Sequence, residues 1–364
     1  MTWFSYHNYG TALQAVALYH SIRKIGHVPL VINYLPKEKK KKIHLSRVFS
    51  YFSKTVNLLL SGGSYKDDIR KMKFNDFINT QLAFTDKCDT ENELKELCVA
   101  FDAFICGSDQ IWSPANFDAH YFLDFVRGKK KIAFAPSIGL STIDDKAIRD
   151  HMAKLISDFD SISVREKRGV EIIKNICGIE ATLALDPTLL LCAAEWSDLL
   201  ELDRCSADTL EEKYILGYFL GNRPENWALV KSFYLNKNMQ LAIIPRFRRD
   251  GFRDYEVLHS EGPIEFINHI RNAECILTDS FHGVLFAIIF EKDFYVFERF
   301  TTKDDKNQNS RIYNILEILS IEDRLIRNTK DFRKATPLNY DVIKKIVSKR
   351  RMESIEYLKT ALKE

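Results

Sequence analysis

The segment CILTDSFHGVLFAIIF, residues 275–290, places a small polar centre between two apolar runs. The pattern predicts a buried strand before the centre and a buried helix after it. The first backbone N–H groups of such a helix lack intrahelical partners, and together with the helix dipole they favour an anion. Asp279 and Ser280 are typical capping residues, Gly283 allows a ligand to approach closely, and His282 could hold or release a proton near neutral pH. The alternative is a histidine that only caps the turn, satisfied by backbone carbonyls.

A second polar group follows an apolar run in FICGSDQIWSP, residues 104–114. Ser108 belongs to a predicted tight turn that presents backbone donors. Asp109, Gln110 and Trp112 then offer an acceptor, an amide and a stacking face, which together suit the hydroxyls and ring of a sugar. An Asx-type turn beside a buried tryptophan is the alternative interpretation.

A third segment, SYHNYGTALQ, places Asn8 and Gly10 directly before a helix predicted over residues 11–25. This is another helix N-terminus with a glycine. Neither the GxGxxG fingerprint nor the Walker pattern occurs in the chain, so dinucleotide or P-loop nucleotide binding is not indicated.

Four arginines follow or adjoin apolar strands, and guanidinium groups pair bidentately with carboxylate or phosphate. They are Arg165, Arg246, Arg299 and Arg311. Any of them could instead be an ordinary surface arginine. We expect Arg165 and Arg246 to bind an anion, because each comes directly after an apolar strand, where parallel sheets bind ligands.

Composition restricts the class of protein. The 364 residues are 46% hydrophobic, enough for two domains with cores of their own. A formal charge of +3 argues against general nucleic-acid binding, and the basic runs at 37–42 and 127–131 are typical of solvated loops. Seven cysteines without a CxxC pair predict a reducing compartment and no zinc site. No signal peptide or apolar run of about 18 residues is present, so we expect a cytoplasmic protein without a transmembrane segment.

The elements that must position these residues alternate along the chain as strand, loop and helix, which predicts an α/β fold. We expect two Rossmann-like domains facing a cleft. The first covers residues 1–197, with a helical excursion over 36–95. The second covers 198–330. A charged amphipathic helix in the tail, 331–364, should pack back across the domains.

Seven segments occur in a fixed order that resembles the polysaccharide pyruvyl transferase family over residues 5–315. They are NYGTALQAVALYHSIRKIGHVPLVINY, FDAFICGSDQIWSP, YFLDF, KIAFAPSIG, SISVREKRG, LDPTLLL and ILTDSFHGVLFAIIF. The resemblance implies a GT-B-like fold and a bacterial enzyme of cell-surface polysaccharide synthesis. Such enzymes move the enolpyruvyl group of phosphoenolpyruvate onto two sugar hydroxyls and form a cyclic pyruvate ketal.

The resemblance also implies roles for the residues above. His282 matches the histidine of the family and would assist proton transfer. The donor phosphate and carboxylate would be bound by Arg165, Arg246, Asp279, Ser280 and Gly283. The acceptor would be bound across the cleft by Asn8, Gly10, Ser108, Asp109, Gln110 and Trp112. We expect no cofactor or metal beyond phosphoenolpyruvate as donor substrate. The acceptor would be an oligosaccharide or lipid-linked saccharide, with at most peripheral contact at the inner face of the membrane.

The chain departs from the family pattern at Ser280, where many members carry an arginine two positions before the histidine. Either another arginine takes its place or the donor differs. Two alternatives therefore stay open: a nucleotide-sugar glycosyltransferase on the same architecture, and a non-catalytic carbohydrate-binding relative.

Overall fold

The structure is a computed structural model, and it describes residues 1–36, 63–204, 210, 213–235, 237, 239–246, 255–301 and 308–363. The basic run at 37–42 and Cys205 lie outside these residues. The six described cysteines are free thiols. The second basic run is not all loop, because Lys131 is buried in a strand and pairs with Asp158.

The N-terminal half holds two parallel sheets. Its described strands are β1 (Val31–Asn33), β2 (Phe84–Lys87), β3 (Ala103–Cys106), β4 (Lys130–Ala133), β5 (Ser161–Val164) and β6 (Thr182–Leu183). β1 pairs with β2, and β3 to β6 pair in sequence order. Residues 1–4 form no regular strand. Met1 nevertheless lies beside β3, because its N-terminus donates to the Ile105 carbonyl and its own carbonyl accepts from the N–H of Gly107.

Helices cover these sheets. In the N-terminal half the described ones are α1 (Tyr9–Lys24), α2 (Gly63–Gln81), α3 (Glu91–Ala100), α4 (Lys146–Ile156), α5 (Lys167–Cys177) and α6 (Ala193–Leu199). The predicted excursion over 36–95 is described only at residue 36 and from residue 63. This second part is not separate from the core: Phe74 and Phe77 of α2 are buried in it, and β2 pairs with β1. Apolar side chains on one face of α2 account for the difference.

The C-terminal half contains a parallel sheet of six described strands. They are β7 (Tyr214–Tyr218), β8 (Gln240–Ile244), β9 (Glu256–Val257), β10 (Cys275–Thr278), β11 (Asp293–Phe297) and β12 (Leu325–Ile326). Their spatial order is β9-β8-β7-β10-β11-β12, which is the 3-2-1-4-5-6 order of a Rossmann domain. The order reverses between β7 and β10. Sheets of this kind bind ligands in the crevice at that reversal point, outside the carboxyl ends of the strands.

Six described helices complete this half: α7 (Pro224–Tyr234), α8 (Pro263–Asn272), α9 (Phe281–Ile289), α10 (Ser310–Leu319), α11 (Asp331–Lys334) and α12 (Tyr340–Lys363). α12 packs back onto the N-terminal half, as expected. Its Tyr357 hydroxyl donates to the Ala133 carbonyl at 3.0 Å, and its Ser354 hydroxyl accepts from the N–H of Leu185 at 3.0 Å. None of the described helices is long and apolar enough to cross a lipid bilayer.

The two halves share a hydrophobic core beneath the cleft that separates their strand ends. Tyr9 of α1 stacks on Phe266 of α8 with ring centroids 4.2 Å apart. Arg70 of α2 donates to the Pro245 carbonyl, which follows β8, at 3.1 Å. The predicted fold class, an α/β protein of two Rossmann-like halves facing a cleft, is therefore confirmed. The exact domain boundaries at 197 and 330 remain predictions.

Candidate functional site

A cleft of about 1220 Å³ separates the two halves of the chain. Most of the residues that line it follow β1, β2, β3, β7, β8, β10 and β11 or lie at or before the start of α1, and Arg70 of α2 and Arg311 of α10 complete the lining. The carboxyl ends of the strands of both halves therefore meet here, as the α/β pattern predicts. His282 is among the lining residues.

The start of α9 is built by a chain of hydrogen bonds. The Ser280 hydroxyl accepts from the N–H of Gly283 at 3.2 Å and so caps the helix. The Thr278 hydroxyl accepts from the N–H of Ser280 at 3.0 Å and donates to the Tyr218 carbonyl at 2.6 Å. A Cβ at position 283 would lie 2.6 Å from the Thr278 hydroxyl. The predicted close approach of a ligand at Gly283 is thus corrected, because Thr278 already occupies that space.

Asp279 ties the turn after β10 to the turn after β7. Its two carboxylate oxygens accept from the N–H groups of Leu220 and Gly221 at 2.7 and 2.8 Å. The side chain is fully buried, and burial raises the pKa of Asp279 even though Arg299 and these N–H groups act in the opposite direction. Asp279 was expected to bind the donor. Its carboxylate oxygens instead bind the N–H groups after β7 and so link β7 to β10, where the strand order reverses.

His282 is held between the two halves. It is 7% exposed, and its Nδ1 faces the start of α1, where a Cβ on Gly10 would come within 2.0 Å of it. Its Nε2 lies 3.5 Å from a carboxylate oxygen of Asp186. Gly10 was predicted on the acceptor side. The structure gives it another use, since the missing side chain leaves the room that the imidazole occupies.

Asp186 joins the histidine to a buried arginine. Its carboxylate accepts from Nη1 of Arg165 at 2.5 Å and from the N–H and hydroxyl of Thr188 at 3.0 and 2.8 Å. Burial by itself would raise the pKa of Asp186, but His282, Arg165 and the Thr188 N–H together hold it below its usual value. Asp186 therefore stays ionised opposite the imidazole.

Arg165 does not form part of the cleft wall. It is buried, lies 3.9 Å from carboxylate oxygens of Asp109 and Glu166, and packs over the ring of Phe281 at 4.7 Å. The expected direct contact of Arg165 with a donor is not what the geometry shows. Its charge is taken up by Asp186, and Phe281 stands between it and the cleft.

Four other arginines line the same cleft as His282: Arg70 in α2, Arg246 after β8, Arg299 after β11 and Arg311 in α10. Arg299 is anchored by its Nη2, which donates to the Asp279 carbonyl at 3.0 Å. Sequence analysis included Arg299 and Arg311 among its candidates but preferred Arg165. Closeness in sequence to the end of a strand was the only signal for an arginine in the cleft. This signal does not show that α10 places Arg311 at the cleft.

Arg311 has little to balance its charge. It is 7% exposed, donates to the Gln308 side chain at 3.2 Å, and within the described part of the chain no carboxylate lies within 4.0 Å of it. Burial, followed by the charges of Arg165 and Arg299, lowers the pKa of Arg311 to about 9. Because the guanidinium still carries its proton at neutral pH, this end of the cleft favours an anion.

Asn8 and Asp109 line the cleft from the N-terminal half, and their role in acceptor binding remains a prediction. Asn8 caps α1, since its side-chain oxygen accepts from the N–H of Thr11 at 3.2 Å. Asp109, at φ +64°, accepts from the Thr11 hydroxyl at 2.6 Å. Both residues and Gln110 line the cleft together with His282. The structure thus brings these three predicted acceptor residues to one wall.

Ser108 and Trp112 do not reach the cleft. The Ser108 hydroxyl donates to the Ala135 carbonyl at 2.7 Å. Trp112 is buried, stacks on Phe122 at 5.1 Å, and donates from its indole N–H to the Tyr121 carbonyl at 3.3 Å. The predicted stacking face is therefore corrected: this tryptophan fills the core of the N-terminal half, the alternative that sequence analysis left open.

Sequence reasoning missed a group of cleft residues with aromatic or acidic side chains: Tyr6, Tyr34, Phe117, Asp118 and His120. They lie on loops or, for His120, in a 3-10 turn, where no periodicity marks a functional position. Tyr34 directly follows β1, and position after a strand is the single available signal. Within the described residues, no group of three histidine, cysteine or acidic side chains is placed to hold a metal ion.

Comparisons with known proteins bear on family and fold. Among solved structures, the chain is similar to UDP-GlcNAc 2-epimerase from Neisseria meningitidis (12% identity, 96% of this chain and 97% of that chain, TM-score 0.49). It is also similar to a putative UDP-N-acetylglucosamine 2-epimerase from Listeria monocytogenes (14% identity, 98% of this chain and 93% of that chain, TM-score 0.49). A third similar structure is UDP-GlcNAc 2-epimerase from Methanocaldococcus jannaschii (13% identity, 92% of this chain and 88% of that chain, TM-score 0.48). No curated protein sequence matches the chain significantly. The family model for polysaccharide pyruvyl transferase matches residues 8–299, which include His282, Asp186 and Asp109. The chain therefore belongs to the polysaccharide pyruvyl transferase family and is a transferase that modifies polysaccharides.

Proposed function

We propose that the chain transfers the enolpyruvyl group of phosphoenolpyruvate to a saccharide and forms a cyclic pyruvate ketal. One sugar hydroxyl bonds to C2 of the donor while the methylene carbon takes up a proton and becomes a methyl group. A second hydroxyl then displaces phosphate from C2 and loses its own proton to it. The products are the ketal and inorganic phosphate, and the reaction needs no oxidant or metal to balance.

One observation carries the proposal: several arginines line the same cleft as a histidine at the strand ends of a Rossmann sheet, and one of them, Arg311, is buried with no carboxylate within 4.0 Å in the described part of the chain. Phosphoenolpyruvate bears a phosphate and a carboxylate, so it requires several cations in a confined space. Arg246, Arg299 and Arg311 line the cleft next to His282. Burial and the charges of Arg165 and Arg299 lower the pKa of Arg311, so a bound anion would stabilise its charged form.

The arginine that many family members carry before the histidine is Ser280 here, and Arg311 and Arg299 compensate for it. Both line the same cleft as Ser280, and the guanidinium of Arg311 lies 5.7 Å from the ring centre of Phe281, the next residue. The donor site thus keeps its positive charge although position 280 is neutral. This argument favours an unchanged donor over a different one.

His282 is the proton carrier in the proposed reaction. Asp186 lies 3.5 Å from its Nε2 and remains ionised, and this contact orients the ring. Arg165 in turn fixes Asp186. Arg165 therefore positions Asp186 and does not contact the donor. Arg246, which was expected to act together with Arg165, lines the cleft and has a different role.

Donor binding tests the proposal without knowledge of the acceptor. The Tm of the purified chain is measured with phosphoenolpyruvate, with UDP-GlcNAc and without ligand. We expect phosphoenolpyruvate to raise the Tm, because a ligand that binds the folded state alone stabilises it by about 2.7 kcal/mol at a hundredfold excess over Kd. Arg311→Gln should abolish this rise, whereas Arg333→Gln, a change at an exposed arginine outside the cleft, should not. A rise with UDP-GlcNAc alone would favour a nucleotide-sugar glycosyltransferase.

Turnover is followed as release of inorganic phosphate from phosphoenolpyruvate in the presence of a panel of bacterial surface oligosaccharides and lipid-linked saccharides. His282→Gln should lower the rate by about 10²–10⁴-fold, the usual contribution of a general acid or base. The variant should still be protected by phosphoenolpyruvate. Phosphate release that is equal in the wild type and the variant would contradict the assigned role, and none with any acceptor would support a non-catalytic carbohydrate-binding protein.

A further inference from the structure

The carboxylates of the cleft come from one part of the chain. Its described lining contains four arginines, Arg70, Arg246, Arg299 and Arg311, and four carboxylates, Asp89, Glu91, Asp109 and Asp118. All four carboxylates come from residues 89–118 of the N-terminal half, and three of the arginines come from the C-terminal half. These three arginines form the basic end of the cleft, which takes the donor in the proposed function, and residues 89–118 form its acidic end.

An aromatic surface accompanies the carboxylates at the acidic end. Tyr6 lines the cleft and is 53% exposed, although most large side chains of this wall are covered. Its ring is held by an edge contact with Trp3, whose centroid is 5.3 Å away. A preformed, exposed aromatic ring inside a polar cleft is a platform for the apolar face of a sugar ring.

Asp118 is fixed beside this platform. One carboxylate oxygen accepts from the Tyr34 hydroxyl at 2.8 Å, and the other accepts from the N–H of His120 at 3.0 Å. Each oxygen has two lone pairs, so each can accept one more hydrogen bond. The His120 ring lies 2.7 Å from a carboxylate oxygen of Asp124, and this hydrogen bond raises the pKa of His120. Asp118 is thus oriented before any ligand arrives.

Tyr6, Asp118 and Asp109 line the same cleft. Burial raises the pKa of Tyr6, and the charges of Asp118 and Asp109 raise it further. Asp109 also lies 3.9 Å from Arg165, which fixes the Asp186 that faces His282. The acidic end is therefore continuous with the histidine, and a ring placed on Tyr6 can direct its hydroxyls toward the basic end.

We propose that the acidic end of the cleft is the acceptor subsite and that it selects an uncharged sugar ring. Tyr6 packs against the face of the ring, and Asp118 and Asp109 accept hydrogen bonds from its hydroxyls. A sugar that carries a carboxylate is rejected, because its charge would approach two fixed carboxylates. The inference rests on the proposed function for the assignment of the donor to the basic end.

The experiment uses saturation-transfer NMR on the full chain without phosphoenolpyruvate. The probes are matched pairs of methyl glycosides in the gluco, galacto and manno series, each a hexose and its uronic acid. We expect a signal from at least one hexose, and a signal at least tenfold weaker from its uronate. Tyr6→Ala should remove the signal, and Tyr6→Phe should retain it. Tyr313→Ala, at a partly exposed tyrosine that does not line the cleft, is the matched control and should change nothing.

Charge selection is tested separately with Asp118→Asn, which keeps the size of the side chain. This variant should bind the uronate at least threefold better than the wild type does. Equal binding of hexose and uronate by the wild type, unchanged binding by Tyr6→Ala, or absence of any hexose signal would each overturn the inference. If the glycosides behave as expected while phosphoenolpyruvate gives no thermal protection, the subsite stands and the proposed function fails. The two results are therefore distinguishable.

Discussion

Two helix starts meet in the cleft, α1 from the N-terminal half and α9 from the C-terminal half. Each is capped by a short polar side chain, Asn8 or Ser280, that accepts from the N–H three residues on. Each has a glycine in its first turn. In α1 the glycine makes room for His282 of the opposite half, whereas in α9 it makes room for Thr278 of its own strand.

The difference shows that one local pattern serves two purposes. Gly283 lets α9 pack close to β10 and so fixes the position of the His282 backbone. Gly10 lets α1 pack against the imidazole and so fixes the position of the ring. The ring is held between α1 on one side and Asp186 on the other, and both contacts come from the N-terminal half. The proposed catalytic arrangement therefore depends on how the halves meet. Changes at each contact distinguish an effect on the position of the ring from an effect on packing.

The largest effect is expected at the Asp186 side of the ring. Asp186→Asn leaves Arg165 buried with carboxylates no nearer than 3.9 Å, and breaking a buried pair in this way costs about 3–5 kcal/mol. The free energy of unfolding is measured by urea denaturation. Asp158→Asn is the control, because it removes a carboxylate that pairs with Lys131 while 65% of its own side chain is exposed. A loss below about 1 kcal/mol in both variants would contradict the role given to Asp186.

The same residue predicts a dependence on pH. The folded chain holds the pKa of Asp186 below its usual value, so the unfolded chain binds the proton more tightly. Stability from this group is fully present above the unfolded pKa of about 3.9 and is lost as the pH falls below it. We expect the Tm of the wild type to fall more steeply than that of Asp186→Asn below about pH 4. If the Tm of the two proteins fell equally with decreasing pH, the role of Asp186 in acid stability would be contradicted.

The second largest effect is expected on the α1 side. A methyl group at position 10 would overlap the imidazole, with 2.0 Å between Cβ and Nδ1, so Gly10→Ala must displace the ring. Misplacement of a catalytic group by about 1 Å can cost about 10²-fold in rate. We expect kcat for phosphate release to fall by this factor, with protection by phosphoenolpyruvate retained. Gly26→Ala, where nothing lies within 4 Å but φ is +97°, is a control that affects stability alone.

A smaller effect, on stability rather than rate, is expected in α9. Gly283→Ala would bring Cβ within 2.6 Å of the Thr278 hydroxyl, and overpacking of this kind costs about 1–3 kcal/mol. Thr278→Ala removes the clash, so the cost of Gly283→Ala should be smaller in that background. A double-mutant cycle from urea denaturation measures the coupling. Additive free energies would show that Thr278 does not limit the space at Gly283.

The sequence predicts the elements of this arrangement better than their contacts. Alternating apolar runs gave strands and helices close to those observed, and the polar centre at Ser280 and His282 does lie at a helix start in the cleft. Trp112 is buried in the core, where it stacks on Phe122. A tryptophan after a strand can point to a ligand or into the core, and the residues next to it in the sequence do not show which. Local sequence patterns specify helices and strands. The burial of a single side chain depends instead on which other helix or strand packs over it.

The arginines show the same limit. Arg165 and Arg246 both follow apolar strands, yet Asp186 holds the first inside and the second lines the cleft. Arg311 reaches the cleft from α10, at a position that no motif marks. Such assignments depend on contacts between residues distant in the chain, 21 residues apart for Arg165 and Asp186. Nothing in the periodicity of either segment encodes them.

The smallest effect separates the two caps. Asn8→Ala and Ser280→Ala each remove one bond to a helix N–H, and each should lower the free energy of unfolding by about 1 kcal/mol. Their effect on donor binding should differ, because Ser280 belongs to the C-terminal half, which supplies Arg246, Arg299 and Arg311, whereas Asn8 belongs to the N-terminal half. We expect the apparent Kd for phosphoenolpyruvate, measured by calorimetry, to rise in Ser280→Ala and to stay unchanged in Asn8→Ala. Ser280→Thr, which keeps the capping oxygen, should bind as the wild type does. An equal rise in both alanine variants would mean that the donor contacts both helix starts, and the division of the cleft into two ends would then fail.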